Sequence, residues 1–261
     1  MNLSLEGKYV VVCGSTQGIG LAIAQELALL GAHCTLMARN GDALQKAIQH
    51  LDTTLRQQHD YIVADFSKPE EVKKAIAAHV ADKPVHVLIN NTGGPAAGPV
   101  TEATEEAFLA AFNQHLVCNH ILATAVIPSM KKEQYGRIVN IISTSVKIPL
   151  KNLGVSNTIR GAVASWAKTM ANELGQFNIT VNNVLPGSTA TRRLTSLIEN
   201  TAKKGNMPVD VVEKNMQEEI PMKRFGDALE IAAVAAFLAS PAASYVNGVS
   251  IPVDGGRTGS L

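Results

Sequence analysis

Two stretches of the chain hold residues whose types and spacing can do chemistry. The first is Gly14-Ser15-Thr16-Gln17-Gly18-Ile19-Gly20, placed directly after an apolar run and opening a helical pattern. Its glycines let the backbone turn tightly and approach a phosphate. The helix start behind them offers free N–H groups and a positive dipole end. Between a first strand and a first helix, such a loop predicts a pyrophosphate site. The second stretch is GVSNTIRGAVASWAK, Gly154 to Lys168, where Ser156 and Arg160 are four apart and share a helix face. A serine hydroxyl is a weak acid. Arginine stays protonated, so it cannot relay a proton, but it can steady an oxyanion or a sugar hydroxyl. The same two residues also suit a helix cap and a surface ion pair. His115 and Cys118 are three apart, but two groups do not make a zinc site, and no metal is expected.

These residues need elements to position them. Short β-branched runs supply strands at 8–13, 33–38, 60–64, 85–90, 137–142, 178–185 and 249–253. They are nearly continuous apolar runs, as parallel strands covered on both faces require. Helical patterns fill the gaps at about 18–30, 41–56, 69–80, 104–131, 155–175 and 227–239. The alternation predicts right-handed βαβ units and a doubly wound α/β sheet over one domain, 1–261. Segment 188–224 is the irregular one and reads as a substrate lid. Arg192 and Arg193 begin it, either to meet a phosphate or as a solvated pair.

Composition narrows the partners. Hydrophobic residues are 46% and charged ones 17% of 261, which suits a compact globular chain rather than a disordered one. A net charge of +1 points to neither nucleic acid nor a membrane surface. No apolar run is long enough to span a bilayer. Three sparse cysteines, Cys13, Cys34 and Cys118, and no secretory layout suit the reducing cytoplasm.

The end of the second strand bears on the cofactor. NAD sites usually place a carboxylate there, on the ribose hydroxyls. Here it reads Ala38-Arg39-Asn40. No acid competes, and Arg39 can pair with a 2′-phosphate, so NADP(H) is favoured over NAD(H).

Across essentially its whole length the chain resembles the short-chain dehydrogenase/reductase family, in the arrangement typical of 3-oxoacyl-carrier-protein reductases. The Gly14–Gly20 loop carries the resemblance, with Asp65 and Phe66 after the third strand and Asn90-Asn91-Thr92-Gly93 after the fourth. It continues through Gly136 to Ser143, Pro186-Gly187 with Thr191, and Val253-Asp254-Gly255-Gly256. The resemblance implies a Rossmann fold with a seven-stranded sheet, hydride transfer between a nicotinamide and a carbonyl or alcohol, and a homodimer or homotetramer. It implies that Asp65 contacts the adenine and that the Asn90 and Gly93 backbone lines the adenosine ribose. The Pro186-Gly187 loop would hold the carboxamide, with Ser188 and Thr191 donating hydroxyls to carboxamide or phosphate. Helices 104–131 and 155–175 would form the contact between subunits.

The family's catalytic set is Asn, Ser, Tyr and Lys. Ser143 matches the Ser, but the Tyr place falls on Ser156 and the Lys place on Arg160. The Asn place falls on His115, or on Asn119 if the helix register shifts. A tyrosine beside a lysine is acidified enough to protonate a carbonyl oxygen, whereas a serine is not. The first reading is an NADPH-dependent reductase of a ketone such as a 3-oxoacyl thioester. Its proton would come from water, His115, Lys147 or Lys151. The others are a catalytically silent NADP(H)-binding homologue and non-redox chemistry on the same fold, as in halohydrin dehalogenases.

Overall fold

The computed structural model describes residues 1–260. Among the described residues, seven strands alternate with nine α-helices: β1 (Tyr9–Cys13), α1 (Gly18–Leu29), β2 (His33–Ala38), α2 (Gly41–Ile48), β3 (Asp60–Val63), α3 (Pro69–Asp82) and β4 (Val87–Asn90). Then come α4 (Glu105–Phe112), α5 (Cys118–Glu133), β5 (Gly136–Ile141), α6 (Gly154–Leu174) and β6 (Ile179–Pro186). The chain ends with α7 (Arg192–Gly205), α8 (Val209–Glu218), α9 (Ala228–Ala239) and β7 (Ser250–Val253). The sheet order is β3-β2-β1-β4-β5-β6-β7, and every pairing is parallel. This is the doubly wound sheet expected from the alternation, and the seven-stranded Rossmann fold that the resemblance implies. Its order reverses at β1, and ligands bind beyond the strand ends at such a switch point.

Alternation within the strands divides the core. Val10, Val12 and Leu36 pack under α1 and α9 on one face, while Val11, Cys13 and Leu88 pack under α3, α5 and α6 on the other. Burial on both faces is why β4, β5 and β6 read as mainly apolar runs rather than as strict alternation.

A polar chain crosses those buried strands. Asn90, Asn140, Asn183 and Ser250 are register partners on β4, β5, β6 and β7. Asn90 Nδ2 donates to Asn140 Oδ1 at 2.8 Å, Asn140 Nδ2 to Asn183 Oδ1 at 2.9 Å, and Asn183 Nδ2 to the Ser250 hydroxyl at 3.0 Å. Buried amides need such partners. A one-residue slip would turn them to the other face, so the ladder pins the strand ends that carry the site.

Two helices differ from expectation. The predicted helix 41–56 stops at Ile48. Asp52 accepts from the Thr54 N–H and hydroxyl, a local turn that competes with the helix, and Arg56 is left-handed at φ 62°. The predicted helix 104–131 is helical throughout but contains a π-helical turn at Asn113–Val117, between α4 and α5. That insertion carries His115 into the interior. In segment 188–224, α7 and α8 share a small core of Leu194, Ile198, Ala202 and Val212, separate from the main ones. No helix among the described residues is long and apolar enough to cross a membrane.

Candidate active site

The carboxyl ends of the central strands open on one cleft of about 1990 Å³. This exceeds a drug-sized pocket and accommodates a dinucleotide with a small substrate. The β1–α1 loop forms its floor. A Cβ on Gly20 would lie 2.3 Å from the Gly14 carbonyl oxygen, and one on Gly14 would lie 2.5 Å from that of Asn91. Backbone therefore occupies the space a side chain would need. Gln17 begins α1 without a side-chain cap, and no acid sits in the first turn. The first N–H groups and the dipole are left for an anion, so these residues fit a dinucleotide pyrophosphate.

Gly14, Thr16, Gln17, Gly18, Ile19 and Gly20 all line the cleft. Ser15 does not. It is fully buried, and its hydroxyl donates to the Val12 carbonyl at 2.8 Å, so it braces the strand end from behind. Arg39 and Asn40 stand exposed at one end of the cleft. Asn40 also caps α2, accepting from Ala43 N at 3.0 Å. Asp65 lines the cleft with Phe66, and hydrogen bonds from Ser67 hold its carboxyl below the usual range, with Lys68 and Arg39 adding to the effect. Asn91, Thr92, Gly93, Pro186, Gly187, Ser188 and Thr191 complete the wall. Asn91 Nδ2 donates to the Cys13 and Gly14 carbonyls, both at 3.2 Å, which ties the end of β4 to the phosphate loop. Thr191 caps α7, and its methyl would stand 3.4 Å from a Cβ on Gly18.

Ser143, Ser156 and Arg160 meet at the same cleft. Ser143 follows β5 and accepts from Ser145 N at 3.1 Å. Ser156 and Arg160 continue the inward stripe of α6 that runs through Ile159, Val163, Ala167, Met170 and Leu174. They are not a solvated face. Arg160 Nη1 donates to the carbonyl of Ile141, the last residue of β5, at 3.2 Å. Burial, and then Arg193, pull the Arg160 guanidinium down to about 10, so it stays a cation at neutral pH.

His115 lies behind the wall rather than in it. It is 4% exposed, its Nδ1 is 2.7 Å from the Thr92 hydroxyl, and its Nε2 has no partner. Burial, then Arg160 and Arg193, push its pKa down to about 3. It is a neutral imidazole at working pH and supplies no imidazolium proton. Asn119 is buried in α5 and does not line the cleft either. Of the two loop lysines, Lys151 lines it and Lys147 does not. No tyrosine lines it. The Tyr135 hydroxyl donates to Ala239 at 2.7 Å, ahead of β5 and away from the site.

The family described as Enoyl-(Acyl carrier protein) reductase matches residues 14–258. The chain belongs to the short-chain dehydrogenase/reductase family. It is 32% identical over 252 residues to the NADPH-dependent reductase BacG of Bacillus subtilis, covering 96% of this chain and 97% of BacG. It is 32% identical over 247 residues to the 3-oxoacyl-[acyl-carrier-protein] reductase MabA of Mycobacterium tuberculosis, covering 95% of this chain and 91% of MabA. The L-sorbose reductase of Gluconobacter frateurii, solved with NADPH and L-sorbose, superposes over 100% of both chains with a TM-score of 0.93 at 29% identity.

Sequence reasoning saw Arg193 only as a phosphate contact or a solvated charge. In this short-chain dehydrogenase/reductase it reaches across the cleft mouth. Arg193 Nη1 donates to the Gly94 carbonyl at 2.9 Å and Nη2 to the Pro95 carbonyl at 3.1 Å. A Cβ on Gly94 would stand 2.8 Å from Arg193 Nη2 and 3.0 Å from Arg160 Nη2. The two guanidinium groups thus converge on one glycine. The signal within the chain was the second glycine of Gly93-Gly94, whose need arises only from residues far away in sequence.

Proposed function

We propose that the protein is an NADP(H)-dependent reductase acting on a ketone, of which a 3-oxoacyl thioester is one candidate, at a site without the usual tyrosine and lysine. The observation that carries this reading is one cleft lined both by a bare phosphate loop and by Ser143, Ser156 and Arg160. Arg39 favours NADP(H), because the end of β2 offers a 2′-phosphate a cation and no carboxylate. BacG and the sorbose reductase, by their names, are likewise NADPH proteins.

Bound here, NADPH supplies a hydride to the carbonyl carbon. The protein's part is to hold the oxygen and let a proton reach it. The Ser143 and Ser156 hydroxyls donate hydrogen bonds to the carbonyl oxygen, and the Arg160 charge steadies the negative charge that develops there. The smaller Ser156, in place of a phenol, leaves room for a water. The proton comes from that water or from Lys151, which lines the cleft, because His115 is neutral and lies behind the wall. Segment 188–224 acts as the lid, its α7 starting over the phosphate loop. Leu109 and Phe112 on α4 are 62% and 41% exposed, apolar surface that a homodimer or homotetramer would cover. Three free, buried thiols fit a cytoplasmic setting.

The test is titration with NADPH and NADH, followed by NADPH oxidation with 3-oxoacyl thioesters and small ketones. Tighter NADPH binding with turnover on a ketone is the expected result. Binding without turnover on any carbonyl would make the chain a silent homologue, and binding of neither cofactor would overturn the reading.

A further inference from the structure

We propose that the substrate carries a carboxylate, gripped between Arg160 and Arg193 beside the carbonyl that is reduced. The inference rests on the reductase reading and narrows its substrate from ketones in general to short oxo acids.

The two guanidinium groups come from distant elements, Arg160 from the second turn of α6 and Arg193 from the first turn of α7. Both close on Gly94, so their Nη2 atoms are within about 6 Å of each other. That span is two charge-assisted N–H···O bonds of about 2.8 Å end to end, the reach of one small oxyanion set between two forks. No carboxylate of the protein fills this role. Among the described residues neither arginine makes an ion pair, and all their bonds run to the neutral carbonyls of Ile141, Gly94 and Pro95. Each guanidinium has five N–H donors, so most remain free.

Like charges held together without an acid repel each other: beside the effect of burial, Arg193 weakens the hold of Arg160 on its proton, and both weaken that of His115. Arg160 is half-buried and Arg193 exposed, and a cation drawn even partly out of water is ordinarily paired. The third polar group of this cluster is also short of a partner: His115 is almost wholly buried, and its Nε2 has none. The cofactor's phosphates do not call for these cations, because they have the Gly14–Gly20 loop with the N-terminus of α1, and Arg39. Arg160 instead stands one helical turn from Ser156, on the side where the carbonyl is held. A carboxylate there lies within a few bonds of the reacting carbon. In a 3-oxoacyl thioester a thioester takes that place, and it offers no charge.

The test compares acid and ester pairs with the full chain. NADPH oxidation is followed with pyruvate, 2-oxobutanoate and acetoacetate, with methyl acetoacetate and acetoacetamide as neutral partners, and with dihydroxyacetone phosphate. Calorimetric titration of acetoacetate and of its methyl ester into the NADP⁺ complex gives a reading even where turnover is slow. The acids are expected to exceed their neutral partners at least tenfold in kcat/KM or in affinity. Arg193→Gln is expected to cut the acids about 10- to 100-fold, the worth of a hydrogen bond to a charged group, and the ester less than about threefold. Arg193→Lys should restore part of the loss. Equal handling of acid and ester overturns the proposal while leaving the reductase reading intact. A preference for dihydroxyacetone phosphate over every acid overturns the carboxylate. An Arg193→Gln effect on NADPH affinity alone, with the acid-to-ester ratio unchanged, assigns the arginine to the cofactor and also overturns it. Failure to bind either nicotinamide cofactor is a different result, and it removes the reductase reading itself.

Discussion

The Thr92 hydroxyl and the His115 imidazole are 2.7 Å apart, joining the cleft wall after β4 to the π-helical turn behind it. The imidazole is sealed in as its neutral form. Its pKa falls from 6.5 to about 3 on folding, chiefly by burial and then by Arg160 and Arg193. Between those values the unfolded chain binds a proton that the folded chain does not, so stability falls as pH falls through that window. His115 alone is expected to cost about 3 kcal/mol between pH 7 and pH 4. Urea unfolding at both pH values should show His115→Asn losing less stability than the parent by about that amount. Equal losses would refute the assignment.

Arg39 stands at the cleft end with no carboxylate alternative on its strand end. Arg39→Asp should weaken NADPH binding about 10- to 100-fold, the range for losing a charge-assisted pair, while leaving NADH no worse. Fluorescence titration with both cofactors measures the ratio. An unchanged ratio would show that Arg39 is only a solvated charge.

Asn140 sits in the middle of the ladder, donating to Asn183 and accepting from Asn90. Asn140→Leu strands both neighbouring amides in the interior. A loss of about 2–4 kcal/mol in denaturant unfolding is expected from the two unsatisfied groups. Asn140→Asp, which keeps an acceptor but loses the donor, should also destabilise, more at neutral than at acid pH. Burying a carboxylate raises its pKa, so its penalty fades as it protonates.

The double variant Ser156→Tyr with Arg160→Lys rebuilds the usual proton donor. A positioned general acid contributes about 10²–10⁴-fold, so neutral ketones should gain at least tenfold in kcat. Oxo acids should gain less, because Arg160, one half of the carboxylate grip, is lost. Steady-state kinetics on acetoacetate and its methyl ester separates the two. A parallel loss on both substrates would mean that serine and arginine serve another reaction.

Much of this protein was legible from local pattern. Apolar runs of strand length alternating with helical periods determined the doubly wound sheet, because burial on both faces leaves a continuous hydrophobic signature in each strand. The Gly14–Gly20 loop was legible for a similar reason, since close backbone approach demands glycine at fixed local positions, and Gly14 and Gly20 are where a Cβ would collide. The Ser143, Ser156 and Arg160 positions could be counted only along the spacing that the family resemblance implies, and the fold brings all three to one cleft. Side-chain direction was less legible. Ser15, inside the loop, turns to Val12, and His115, on a helix with cleft neighbours, turns inward. The end of α2 is not legible in the helical period, because the Asp52 side chain accepts from Thr54 in a local turn that competes with the helix. Only the tertiary structure decided that Asn90, Asn140 and Asn183 form one ladder, and that Arg160 and Arg193 share one glycine. Those relations join residues tens of positions apart. They depend on strand register and on where α7 begins over the cleft, and no local period encodes either.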